Sequence, residues 1–226
     1  MATARPGRRR LNADEYRLTR ELVGTEEVGL RERKKRDTRI ALSDAALELA
    51  FERGLDEVTR DEIAARAGVS LRTMNNYFTN KYEAAAYLPI QWIRRSLDAM
   101  RQRPVDEPLW TSITAAALHT LEESGGGALS PTGLQQARVR KVVDSPEMRW
   151  ALSKNAFADL LGVVGERTGT DPNTDLYPRL VAAVVRAVAE TAVEVYVRAD
   201  PPVDISTVLE EGFAAVATGL PPSRPR

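Results

Sequence analysis

The sequence predicts an all-α protein with an N-terminal three-helix helix-turn-helix domain and a larger C-terminal helical domain. Three observations lead there. Apolar residues recur at three- and four-residue spacing in nearly every segment from Thr38 onward, the period of a helix with one buried face. Residues that cap helix N-termini stand immediately before those segments at Thr59, Ser70, Asn80 and Ser130. Pro108 and Pro131 fall where a first helical turn tolerates proline, and Ser145-Pro146 starts a further helix.

Composition sets the outer bounds. A chain of 226 residues, 43% hydrophobic, can bury a sizeable core as one domain or two small ones. The formal net charge is zero, so any nucleic-acid surface is a local patch and not a global coat. With no cysteine and a single histidine, disulfide frameworks, thiolate zinc sites, cysteine nucleophiles and multi-histidine metal sites within one chain are excluded. No catalytic motif is present, no metal or cofactor is implied, and the chain reads as a non-enzyme. No apolar run approaches the roughly twenty residues needed to span a bilayer, and the N-terminus lacks the apolar core of a secretory signal; the expected location is cytoplasmic.

Residues 1–30 read as a disordered basic extension. Arg5, Arg8, Arg9 and Arg10 form its first basic cluster. A second cluster, Arg31, Arg33, Lys34, Lys35 and Arg36, directly precedes the first core helix and is placed to follow phosphates or enter a minor groove. Thr38 to Arg53 is that helix, with Ile40, Leu42, Ala45, Ala46, Leu49, Ala50 and Phe51 as its apolar face and Gly54 as its stop.

Two short helices follow. Thr59 caps the first, and Glu62 can reach back to the free backbone N–H groups, forming a capping box. Ile63, Ala64 and Ala67 make a small apolar face, and Gly68 closes the helix. Ser70 caps the second, with Met74 and Phe78 inward and Leu71, Arg72, Thr73, Asn75, Asn76 and Tyr77 outward. Asparagine can bond an adenine edge bidentately, arginine a guanine edge, and threonine a thymine methyl or a phosphate. Tyr77 and Lys81 can engage phosphates. The candidate DNA-contact set is Arg36, Thr59, Arg60, Ser70, Leu71, Arg72, Thr73, Asn75, Asn76, Tyr77 and Lys81. Capped helical hairpins also occur outside DNA-binding proteins, so these residues alone leave that alternative open.

The remaining chain is helical. Asn80 caps a fourth helix from Lys81 to about Arg103, with Pro89 inside it as a candidate kink. Helices are expected at Pro108–Glu123, Pro131–Val143 and from Pro146 to about Arg167, with Ser124-Gly125-Gly126-Gly127 a break. The last two, Asp175–Ala199 and Ile205–Thr218, are more apolar than one buried face requires. A symmetric four-helix interface between two subunits accounts for that excess; burial in a monomer core is the plainer alternative.

The run Thr38–Lys81, about a fifth of the chain, resembles the N-terminal domain of the TetR family of bacterial transcriptional regulators. The residues that carry the likeness are Ala45 to Gly54, Val58-Thr59, Ile63 to Ser70, Arg72-Thr73, Tyr77-Phe78 and Lys81. The chain departs from the family at Asn75 and Asn76, where larger or aromatic residues are usual. It departs again at Tyr82, usually acidic, and at Ala84, usually leucine. The resemblance implies a DNA-binding domain over 31–82, a regulatory and dimerisation domain over 83–219, and a short flexible tail over 220–226. It implies a homodimer, paired through the last two helices, on a palindromic double-stranded DNA operator. It also implies a repressor released by a small hydrophobic or amphipathic effector, acyl-CoA thioesters being one class. A helical adaptor of the same fold that has lost DNA binding is the alternative. Candidate pocket residues are Trp92, Met100, Trp110, Ile113, His119, Arg138, Trp150, Asn155, Phe157, Tyr177, Arg186 and Glu190. Large apolar residues at this spacing are also what cores are made of, and Arg186 and Glu190 can simply pair with each other.

Overall fold

Thr38, expected to open the first helix, lies well inside it: α1 runs Leu30–Arg53, and the Thr38 hydroxyl donates back to Lys34 O at 2.8 Å instead of capping. The charged stretch before it lacks an apolar stripe, but lysine, arginine and glutamate are good helix formers and extend the helix by two turns. The second basic cluster is therefore helical surface and not a loose arm. The computed structural model describes residues 29–123 and 145–220, with positions 137, 140, 142 and 143 between them; the side chains of residues 30, 153–155 and 157 are outside that description. The readings made for the basic tail, the glycine break, Arg138, Asn155, Phe157 and the last six residues lie outside the described residues.

A 3-10 turn at Leu55–Glu57 follows α1, then α2 (Arg60–Arg66) and α3 (Leu71–Tyr77). The long α4 (Lys81–Arg101) leads to α5 (Leu109–Glu123), α6 (Pro146–Thr168), α7 (Leu176–Arg198) and α8 (Ile205–Ala217). No strand occurs among the described residues.

Two apolar cores share α4 and α6, the latter giving Met148 and Ala151 to the first and Leu160, Val163 and Val164 to the second. The first gathers Leu42, Ala46 and Leu49 of α1, Leu55, Ile63, Met74 and Phe78, and the N-terminal half of α4 from Ala84 to Ile90. Ala84, Ala85 and Ala86 are fully buried; where the family usually has leucine, alanine brings α4 close to its neighbours. The second core takes Leu97 and Met100 from the far half of α4 and joins them to Ile113, Val163, Val164, Val181, Leu209 and Phe213. Pro89 sits within α4, just before the point where its buried face passes from one core to the other. One residue earlier, the Leu88 N–H donates to the buried Ser43 hydroxyl of α1 at 3.2 Å, tying the two helices beside the proline.

The end of α4 is held by α6. The last carbonyls of a helix have no partner within it; here Arg167 Nη1 donates to Met100 O and Arg103 O, both at 3.1 Å, and Nη2 to Pro104 O at 2.7 Å. Arg94 pairs with Asp159 at 2.8 Å and Arg101 with Glu166 at 3.0 Å along the same seam. Helices α7 and α8 pack together closely enough that a Cβ at Gly212 would stand 2.8 Å from Val188 Cγ1. α7 leaves Leu176, Tyr177, Leu180 and Val195 exposed.

Candidate nucleic-acid interface

The expected capping box is in place. Thr59 Oγ1 accepts from Glu62 N, and the Glu62 carboxylate accepts from Thr59 N at 2.9 Å and from its hydroxyl at 2.8 Å. Arg53 of α1 meets the same carboxylate at 2.6 Å. The Arg53 hydrogen bond first, then the bonds from Thr59, hold the Glu62 carboxyl down from 4.5 to about 2. Arg66 at the other end of α2 pairs with both Glu48 and Glu52. Ion pairs at both ends thus fix α2 on α1.

Gly68, at φ +70, makes the turn that a side chain would strain. Ser70 then caps α3, accepting from Thr73 N at 3.1 Å, while the Ser70 and Thr73 hydroxyls are 2.9 Å apart. Met74 is fully buried and Phe78 nearly so, which sets the rotation of α3. Leu71, Thr73 and Tyr77 are partly exposed; Arg72, Asn75 and Asn76 are exposed. Arg39 of α1 stacks over the Tyr77 ring at 5.4 Å, bracing the helix end by a cation–π contact.

The two asparagines are not equivalent. Arg60, the first residue of α2, donates from Nη1 to Asn75 Oδ1 at 3.0 Å and to Thr79 O at 3.3 Å. Arg72 and Asn76 make no hydrogen bond or ion pair among the described residues. Asn76 and Tyr77 instead form one wall of an open groove of about 740 Å³ whose other wall is Arg31, Glu32, Lys34, Lys35 and Thr38 of α1, with Lys35 paired to Glu32 at 3.6 Å. Those α1 residues follow a three-four spacing, the sequence signal that would have placed them on one helical face.

Arg36 and Lys81 point elsewhere. Arg36 is partly buried and outside the groove wall; its charge acts on Tyr87 of α4, where burial pushes the hydroxyl up and Arg39, Arg36 and Arg94 pull it back. Lys81 Nζ donates to Asp56 O at 2.9 Å and Val58 O at 3.0 Å, so two of its three donors clamp the start of α4 to the loop before α2. Asn80 caps α4 through Glu83 N at 2.8 Å. The Glu83 carboxylate reaches one residue further back than a capping box requires, to Thr79 N and its hydroxyl.

The candidate pocket residues divide into core and surface. Met100 and Ile113 are buried in the second core, with Trp92 and Trp110 packed against it; Trp92 Nε1 donates to Thr120 O at 3.3 Å. His119 is exposed and 3.2 Å from Glu123, and Arg186 pairs with Glu190 at 3.7 Å on the surface. Tyr177 is exposed on α7. Trp150, 57% exposed, borders a cleft of about 290 Å³ between α4 and α6 that also touches Phe78, Tyr87 and Ile90.

A capped recognition helix on a braced three-helix block, coupled through α4 and α6 to a second helical core, is the architecture of a helix-turn-helix transcription regulator, which binds DNA and performs no chemistry on it. Residues 42–86 match the TetR_N family model, described as bacterial regulatory proteins of the tetR family. Residues 107–221 match TetR_C_14, described as the MftR C-terminal domain. The chain belongs to the TetR family of bacterial transcriptional regulators. It is 32% identical over 190 residues to the HTH-type transcriptional regulator TcmR of Streptomyces glaucescens, covering 81% of this chain and 84% of that protein. It is 28% identical over 199 residues to the putative mycofactocin biosynthesis transcriptional regulator MftR of Mycobacterium tuberculosis (strain ATCC 25618 / H37Rv), covering 83% and 93% respectively. Its fold is similar to that of SmeT, the repressor of the Stenotrophomonas maltophilia multidrug efflux pump SmeDEF, with a TM-score of 0.50 at 20% identity over 84% of this chain and all of that one. No helix among the described residues is long and apolar enough to cross a membrane.

Proposed function

We propose that the protein is a homodimeric repressor that binds a palindromic double-stranded operator, one α3 in each half-site, and leaves it when a small hydrophobic or amphipathic effector binds. The observation that carries this reading is the outward edge of α3: Arg72 and Asn76 have their base-reading groups uncommitted, beside a groove whose α1 wall carries Arg31, Lys34 and Lys35 against one acid, Glu32, which pairs with Lys35. Such an arrangement joins base-edge readout to phosphate neutralisation. A seven-residue recognition helix touches too little DNA alone, which calls for two copies a helical turn apart. The exposed Leu176, Tyr177, Leu180 and Val195 of α7 support pairing through α7 and α8. Met100 and Ile113 lie in the second core with Trp92 and Trp110 packed against it, and these are the side chains an apolar effector would displace. Its effect on DNA equals its differential affinity for the two subunit arrangements. The reading places the protein in the cytoplasm, at the nucleoid when bound.

Selection of bound fragments from the source genome tests it. A recovered inverted repeat, with a molecular mass in solution of two chains, is the expected result. Fragments that beat random DNA by nothing at moderate salt, or a monomer on DNA, would overturn it.

A further inference from the structure

Arg60 and Asn75 come from different helices, fifteen residues apart, and meet across the helix-turn-helix at 3.0 Å. A guanidinium carries donors only, so the amide atom turned to it must be Oδ1, and Nδ2 is left on the other side. The second bond of the same Nη1, to Thr79 O at 3.3 Å, fixes the guanidinium at the far end of α3 and makes the orientation a built one. An amide that selects adenine needs both of its ends, Oδ1 accepting from N6–H while Nδ2 donates to N7. One Oδ1 lone pair is taken by Arg60, and the cationic guanidinium beside the other opposes the approach of a further donor such as adenine N6–H. The pair therefore presents chiefly donors, Nδ2 and the remaining N–H groups of Arg60. Guanine offers two neighbouring major-groove acceptors, N7 and O6, whereas adenine presents a donor at the second position.

We propose that Arg60 and Asn75 form one donor-dominated reading unit, in which Arg60 is the positioning residue that biases Asn75 away from adenine and towards a guanine-selecting contact. Asn76, whose amide makes no hydrogen bond among the described residues, keeps both ends and is the amide that selects adenine. Adjacent identical residues thereby read different bases. The inference rests on the DNA-reading role proposed above and adds which residue sets the choice.

Both side chains are exposed, and the Thr59–Glu62 capping box does not use the Arg60 side chain, so Arg60→Met leaves core and cap intact. The test is selection of bound duplexes from a random pool by the full-length chain, as wild type, Arg60→Met, Asn75→Ala and the double variant. In Arg60→Met, adenine should gain on guanine at one symmetry-related pair of positions by about tenfold, the scale of one bidentate base contact. Asn75→Ala should abolish that shift when combined with Arg60→Met, because the arginine acts through the amide. An unchanged motif in Arg60→Met with uniformly weaker binding would overturn the proposal and make Arg60 a phosphate contact, as would a shift that persists in the double variant. If the wild type enriches no motif at all, the DNA-reading role falls and this inference with it.

Discussion

Replacing Arg167 with alanine removes the only side chain shown bonding the three carbonyls where α4 ends. Its guanidinium spans Met100 O, Arg103 O and Pro104 O at 3.1, 3.1 and 2.7 Å. A shielded hydrogen bond from a charged donor contributes about 1.5–3 kcal/mol. The bond to Pro104 is exposed and the others only part-buried, so water refills much of what is lost. A net cost of about 2 kcal/mol is the reasonable figure. In a chain of this size, that lowers the midpoint of thermal unfolding by about 4–8 °C. The assay is loss of helical circular dichroism on heating, for wild type, Arg167→Ala and Arg167→Lys. Lysine keeps the charge but cannot present a planar fork to three acceptors, so it should fall between the two. A midpoint for Arg167→Ala within about 1 °C of wild type would refute the account, since a shift that small corresponds to less than about 0.5 kcal/mol.

Other outcomes follow from the same geometry. The Glu62 carboxyl is held down at about 2 against an ordinary 4.5, so its stabilisation is complete above about pH 4.5 and lost as pH falls towards 2. Thermal midpoints of wild type and Glu62→Gln should therefore converge across that window, and a constant gap would contradict the assignment. Asn76→Ala should reduce discrimination between the best operator and single-base variants by about 1–3 kcal/mol in competition binding. Because Lys81 Nζ bonds Asp56 O and Val58 O, Lys81→Ala should lower the thermal midpoint and, by loosening the start of α4, weaken operator and random duplex alike; loss of specificity equal to that of Asn76→Ala would count against these roles. At Gly165 a Cβ would stand 2.8 Å from Thr170 O and 3.0 Å from Pro172 Cδ, so Gly165→Val should destabilise by about 2 kcal/mol in urea unfolding, and a neutral variant would show that the α6–α7 loop yields.

The parts of this fold that the chain announces are those set by contacts three or four residues apart. The Thr59–Glu62 box, the Ser70 cap and the inward Met74 and Phe78 are all local, and each is found as expected. The start of α1 was less legible because helix formation there comes from charged residues without an apolar stripe, and the hydroxyl of Thr38 has a helical bonding option as well as a capping one. What stayed hidden is long-range. Nothing in the spacing of Arg60 and Asn75 shows that they meet, nor that Lys81 turns back to Asp56, nor that Ser43 receives the Leu88 N–H beside Pro89. For the same reason, Met100 and Ile113 could be named as large apolar residues before their place in the core was known, whereas Trp150 and Tyr177 share that apolar character and lie at the surface.

The central claim, that α3 and the basic turns of α1 together form a sequence-reading surface, is tested most directly by measuring the dissociation constant on the genome-selected operator and on random duplex across a range of salt concentrations. The account predicts a marked preference for the operator, with log affinity falling linearly as log salt rises for both duplexes because phosphate neutralisation is common to them. Equal affinity for operator and random duplex at every salt concentration would contradict it.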